Sequence, residues 1–164
     1  MGASKVELFF DRIVAAATPV FDEVIAVHRA DGEPLSVRTI FEEPHAGEAA
    51  IFGVVRALRD AQGECFLLAV DYPFLTSDAL RHLRDRGGVP IWNGNPQPLC
   101  AVWDPSALPR IEARIAAGAL DLRGAIDREM IPEPELRARF FAEELLNVNT
   151  PEEWERGQGF LASR

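Results

Sequence analysis

The sequence predicts an α/β fold with a mostly parallel sheet and helices on both faces. Three observations carry this expectation. Segments with helical spacing and short β-branched runs alternate along most of the 164 residues. Residues 65–70 (CFLLAV) are apolar at every position, the pattern of a strand covered on both faces. No internal repeat and no long linker interrupts the alternation, so one domain spanning residues 1–164 is expected.

Residues 4–17 place Val6, Phe9, Phe10, Ile13 and Val14 at helical spacing, and Thr18-Pro19 ends that helix. Residues 23–28 (EVIAVH) and 36–41 read as strands, separated by the turn signal Asp31-Gly32. A loop rich in Pro, Gly and acids follows. A helix over 50–61 then sets Ile51, Val54, Val55 and Leu58 on one face, and Gly63 stops it. The apolar strand 65–70 ends abruptly in Asp71-Tyr72-Pro73, and Thr76 or Ser77 caps a helix to about Asp85. Residues 89–92 form a strand, Asn93-Gly94-Asn95-Pro96 a turn, and 98–103 the strand returning from it. Asp104-Pro105 opens a helix to about Ala117, ended by Gly118. A short helix is expected over 120–129 and an edge strand over 139–141, and the Thr150-Pro151-Glu152-Glu153 capping box starts the last helix.

Composition narrows the function. Hydrophobic residues make up 48% and charged residues 26%, the balance of a chain that buries a core. No apolar run approaches the ~20 residues of a membrane span. Lys5, Glu7 and Asp11 argue against a signal peptide at the N-terminus. Cys65 and Cys100 sit in apolar runs and read as buried thiols, which suits a reducing cytoplasm. The net charge of -9, with no Lys/Arg cluster, speaks against a duplex nucleic-acid partner. A phosphorylated ligand stays open where backbone amides and a metal cation handle its charge.

Ligands of open α/β sheets bind outside the carboxyl ends of strands, so Asp71, just past the most apolar strand, is the first candidate. Its carboxylate suits Mg²⁺, which takes one or two carboxylates plus waters and substrate phosphates. The same residue could equally do no more than organise the turn into Pro73. Asn147 and Asn149 form the second candidate. If residues 146–149 are extended, both amides point to one side and Val148 to the other. They could then donate to phosphate, complete a metal shell through their carbonyls, or merely form a helix-entry turn. In the loop 42–53, Gly47 and Gly53 would allow close backbone approach, and Glu42 or Glu43 could accept hydrogen bonds from a base. His28, His45 and His82 show no metal-ligand spacing. No GxSxG, HExxH, CxxC or Walker A sequence occurs, so serine hydrolase, zincin, zinc-ribbon and P-loop readings lack support.

Taken together, the motifs resemble those of the molybdenum cofactor guanylyltransferase family. Met1-Gly2 followed by Lys5 resembles the end of a Gly-rich signature running into R-M-G-x-x-K. Residues 47–54 (GEAAIFGV) resemble G-x-G-P-L-A-G-I, with Ala49 and Ala50 in place of Gly-Pro. LLAVDYPFLT (67–76) resembles the strand ending in C-D-x-P-F-L, QPLCAVW (97–103) the Q-P-L-x-A-L-Y strand, and NVNTPEEW (147–154) the N-x-N-T-P-x-D ending. The order and spacing of the last three are the specific part.

The resemblance implies a three-layer Rossmann-like nucleotidyltransferase fold. It implies transfer of GMP from GTP and Mg²⁺ to molybdopterin. Asp71 would hold the metal, Lys5 would offset triphosphate charge, and Glu42 or Glu43 would read guanine. Gly47 and Gly53 would permit close approach, and Asn147 and Asn149 would line the acceptor side. The expected partners are GTP and molybdopterin, with molybdoenzymes or other cofactor-synthesis proteins beside them. Nucleic acid and membrane are not expected. The family's first strand and its L-A-G-G loop precede the point where this sequence begins. Unpaired backbone on neighbouring strands and impaired turnover are therefore expected. Two alternatives stand beside this: a relative using CTP, and a non-catalytic module binding the cofactor or a molybdoenzyme.

Overall fold

The computed structural model describes residues 5–44 and 49–162. Its helices are α1 (Lys5–Ala17), α2 (Ile51–Asp60), α3 (Ser77–Arg86), α4 (Leu108–Ala116), α5 (Glu133–Arg137) and α6 (Pro151–Ala162). Its strands are β1 (Ile25–His28), β2 (Arg38–Phe41), β3 (Cys65–Leu68), β4 (Val89–Trp92), β5 (Asn95–Pro96), β6 (Cys100–Trp103) and β7 (Met130–Ile131). β1 runs parallel to β2, and β4 parallel to β7. β3 pairs with β6, and β4 with β5, antiparallel. Among the described residues, two pairings are thus parallel and two antiparallel.

Strand alternation builds three layers. On β3, Phe66 and Leu68 face a core made by Leu80 and Leu83 of α3, Ile131, Leu136 and the end of α1. Cys65 and Leu67 face the other core, built on Ile51, Val54, Val55 and Leu58 of α2 and Ile111 of α4. The four α2 residues are those the helical spacing selects. β6 is buried along its length and splits the same way, with Cys100 on the α3 side and Ala101 and Trp103 on the α2 side. Helices therefore cover both faces of β3, as its apolar run predicts. Each of its residues is nonetheless only half-buried, and among the described residues it has one hydrogen-bonded neighbour. β1 likewise pairs only with β2 among them.

Several expectations need correction. Asn93 (φ 49°) and Gly94 (φ 71°) make the tight turn, but the strand returning from it is only β5. The run 98–103 leaves β4 and pairs as β6 with β3 instead. Residues 120–129 hold only a 3-10 turn, Arg123–Ala125. No strand covers 139–141; the late strand is β7 and α5 follows it. Cys65 is half-buried, not buried, while Cys100 is buried, and both thiols are free. Burial pushes them up to about 11 and about 12, so neither is a ready nucleophile.

His82 lies edge-on to Phe140, ring centroids 5.3 Å apart. Burial first, then the charge of Arg139, lowers its pKa, outweighing Glu135 and Asp85. The folded chain thus takes up the proton less readily than the unfolded one, whose imidazole titrates near ~6.5. Stability held by the neutral ring is present above that pH and is lost as pH falls below it. Denaturant midpoints taken from pH 7.5 down to 5.5 should fall more steeply for wild type than for His82→Asn.

Candidate active site

The candidate residues meet where β3 ends. Ala69 N–H donates to the Leu99 carbonyl (2.8 Å), and the chain then turns through Asp71, with Tyr72, Phe74 and Leu75 buried beneath it. Asp71 itself is half-buried. Its carbonyl accepts the N–H of Val148 at 2.7 Å, a bond across the sequence that brings the asparagine segment to this turn. Among the described residues, no hydrogen bond or ion pair engages the Asp71 carboxylate.

Val148 is fully buried with Phe9, Phe74 and Leu146. Asn147 and Asn149 project to the other side, as extended alternation predicts, and Asn149 Nδ2 donates to Asn147 Oδ1 at 2.6 Å. The capping box forms as read. Glu153 Oε2 accepts the N–H groups of Asn149 (2.7 Å) and Thr150 (2.9 Å), while Thr150 Oγ1 accepts the N–H of Glu153 (3.2 Å). Those bonds, Asn149's first, hold the Glu153 carboxyl below its usual range.

Sequence reasoning missed three residues here. Tyr72, 3% exposed, donates its hydroxyl to Gln97 Oε1 at 2.6 Å. Burial first, then the proximity of Cys100 and Asp71, pushes its hydroxyl up to about 12, with the Asn147 side chain acting in the opposite direction. Gln97 opens the QPL stretch, and that stretch was the available signal. Glu144 is a buried carboxylate, 3% exposed. It accepts from Thr76 Oγ1 at 2.7 Å and from the Phe141 N–H at 3.3 Å. Thr76 in turn accepts from the Ala79 N–H (3.2 Å), capping α3. Glu144 thereby ties the segment before the asparagines to the helix after Asp71.

The two acids of the loop separate. Glu42 continues the β1–β2 pairing, its N–H donating to the His28 carbonyl at 2.8 Å, and its carboxylate lies against Gly53. A Cβ at Gly53 would stand 2.8 Å from Glu42 Oε1, so the missing side chain makes room for this carboxylate. Glu43 points elsewhere, pairing with Arg59 (2.8 Å), which also binds Glu112 (2.8 Å). The bond that gathers Asp71 and the asparagines therefore does not extend to Glu42, which stays with β2 and α2. Gly47 and the side chain of Lys5 lie outside the described residues, although Lys5 begins α1.

Two cavities of about 320 and 330 Å³ are not lined by Asp71 or the asparagines: one lies between α2 and α4 with Glu43 and Arg59 in its wall, the other beside Asp104 and Arg128. No cluster of three or more His, Cys, Asp or Glu able to hold a metal occurs among the described residues. A lone half-buried carboxylate fits an ion held mostly by substrate phosphates and water, as Mg²⁺ commonly is.

The model of the MobA-like NTP transferase domain matches residues 6–131. The chain belongs to this family. A relative from Bacillus licheniformis named probable molybdenum cofactor guanylyltransferase is 28% identical over 128 residues, covering 73% of this chain and 65% of the relative. The match thus spans less than two-thirds of that relative's length. The structure of molybdopterin-guanine dinucleotide biosynthesis protein A from Archaeoglobus fulgidus superposes with a TM-score of 0.75 at 24% identity, covering 95% of this chain and 86% of that one. The 2-C-methyl-D-erythritol 4-phosphate cytidylyltransferase of Thermus thermophilus gives a TM-score of 0.62 at 14% identity, covering 94% and 89%. These likenesses establish the α/β, Rossmann-like nucleotidyltransferase fold.

Proposed function

We propose that this chain acts in molybdenum cofactor biosynthesis, transferring GMP from GTP to the terminal phosphate of molybdopterin. Family membership supports the nucleotidyl-transfer class, and the names of the relatives support the pathway. One observation carries the site: the Val148 N–H on the Asp71 carbonyl, which brings the carboxylate and the amide pair to one strand end.

In the reaction, an acceptor phosphate oxygen bonds to the α-phosphorus. The bond to the bridging oxygen breaks, and pyrophosphate leaves with the electron pair. No covalent enzyme nucleophile is needed, so the protein's work is alignment and charge neutralisation. Asp71 is the residue that would hold Mg²⁺, which supplies charge neutralisation at the phosphates when bound. Lys5 serves the triphosphate. Glu42, whose carboxylate lies against Gly53, accepts from the donor edge of guanine, and Gly47 serves the same close approach. Asn147 and Asn149 serve the acceptor. The two free cysteines suit a cytoplasmic place of action.

The test is transfer from GTP labelled at the α-phosphate, in the presence of Mg²⁺ and molybdopterin. Label should pass to the acceptor with release of pyrophosphate. GTP should outcompete CTP by at least about tenfold, because cytosine lacks the adjacent N1–H and N2–H donors that a carboxylate accepts from guanine. Preference for CTP would overturn the role of Glu42. Molybdopterin binding without pyrophosphate release would replace the enzyme with a cofactor-binding module.

A further inference from the structure

Gln97 has its backbone and side-chain polar groups all engaged within the fold. Its N–H donates to the Pro90 carbonyl (2.8 Å), and its carbonyl accepts from the Cys100 N–H (3.0 Å). Its Nε2 donates to the backbone carbonyls of Trp92 (3.2 Å) and Asn95 (2.9 Å). Carbonyls only accept, so those two bonds fix which way round the amide sits, and Oε1 is left for the Tyr72 hydroxyl, which donates to it at 2.6 Å. Gln97 thus staples the β4–β5 hairpin to the start of β6 and presents one oriented acceptor to the turn after β3. Backbone bonds tie that turn to other elements at Ala69, whose N–H meets the Leu99 carbonyl (2.8 Å), and at the Asp71 carbonyl, which receives Val148 N–H (2.7 Å). Both anchors lie at Asp71 or before it. Beyond Asp71 the tie is the Tyr72 side chain, 3% exposed in the core that holds Leu80 and Cys100, with its hydroxyl on Gln97.

We infer that Tyr72 and Gln97 are positioning residues for Asp71: their hydroxyl-to-amide bond fixes the far side of the turn, so that the Asp71 carboxylate meets the metal-bound nucleotide in one orientation. The assignment deepens the proposed function and rests on it for what Asp71 binds, but the tie itself does not. No described residue engages the carboxylate, so its direction is set by the backbone on either side of it. Holding that backbone before the ligand arrives removes an ordering cost from binding.

The experiment follows transfer against Mg²⁺ concentration in Tyr72→Phe, Gln97→Leu and the double variant. Ile111→Val is the comparison, since it thins the core between α2 and α4 and leaves the Asp71 turn alone. Tyr72→Phe keeps the buried ring and removes one oxygen. It should raise the Mg²⁺ concentration for half-maximal rate about tenfold and leave KM for molybdopterin within about twofold. Gln97→Leu removes the acceptor and should raise it likewise. The double variant should match the more affected single one, because the same bond is broken in each. Ile111→Val should melt at a lower temperature yet keep the wild-type Mg²⁺ requirement. An unchanged requirement in Tyr72→Phe, or an equal rise in Ile111→Val, overturns the positioning role. Amide hydrogen exchange in the ligand-free chain gives a second reading. In Tyr72→Phe, the Val148 N–H on the Asp71 carbonyl should exchange at least about tenfold faster, while the amides of α4 keep their rates. Equal acceleration at both places, or none at Val148, overturns the tie. A wild-type chain without transfer would instead overturn the functional reading, and exchange at Val148 would still decide the tie.

Discussion

An Asp71→Asn chain should lose roughly 10²–10³-fold in kcat/KM for Mg²⁺-dependent transfer while unfolding at the wild-type temperature. The side chain keeps its volume and loses its charge. The Asp71 carbonyl that receives Val148 N–H at 2.7 Å is backbone, and the substitution leaves it in place. No described residue bonds the carboxylate, so its removal orphans no partner. Stability is therefore spared, and the loss falls on the metal-bound nucleotide. Chelating Mg²⁺ should bring wild type down to the level of the variant and leave the variant nearly unaffected. A variant that kept wild-type turnover would take Asp71 out of the site.

Gly157→Ala should lower stability by about 1–3 kcal/mol, a melting shift of roughly 2–12 °C. A Cβ there would stand 1.9 Å from Phe74 Cε2 and 2.2 Å from Cζ, so the ring must move. Phe74 is 2% exposed and lies against Trp154 with centroids 5.2 Å apart, which leaves it little room to yield. The ring belongs to the turn that carries Asp71 and packs with Leu146 and Val148, so transfer should weaken with stability. Gly159, two residues on in the same helix, meets nothing within 4 Å. Gly159→Ala should be neutral or stabilising by up to ~1 kcal/mol, since alanine is the better helix former. Equal melting shifts in the two variants would show that helix propensity, not the ring contact, governs position 157.

The parts of the fold that could be read from sequence are those whose cause is local. The α2 face, the Thr76 cap and the Thr150–Glu153 box each depend on residues within one or two turns. Strand pairing failed where the cause is distant. Asn93-Gly94 announces a hairpin but not that its returning arm is two residues long, nor that Cys100–Trp103 crosses to β3. β7 exists only because β4 offers it a parallel edge, and two residues carry no periodicity. The site divides in the same way. Asp71 could be picked out because it follows the most apolar run, and the asparagines because alternation puts them on one side. Tyr72 and Gln97 are 25 positions apart, and Thr76 and Glu144 are 68 apart, so only folding brings each pair together.

Asp71 and the asparagine pair should serve one bound ligand set, and a double-mutant cycle on transfer measures this most directly. Asp71→Asn, Asn149→Ala and the double variant would be compared by kcat/KM. Groups that share a ligand should couple, the double variant departing from the product of the single effects by more than about 0.5 kcal/mol. Effects that multiply cleanly would place the two groups in separate sites and contradict the account.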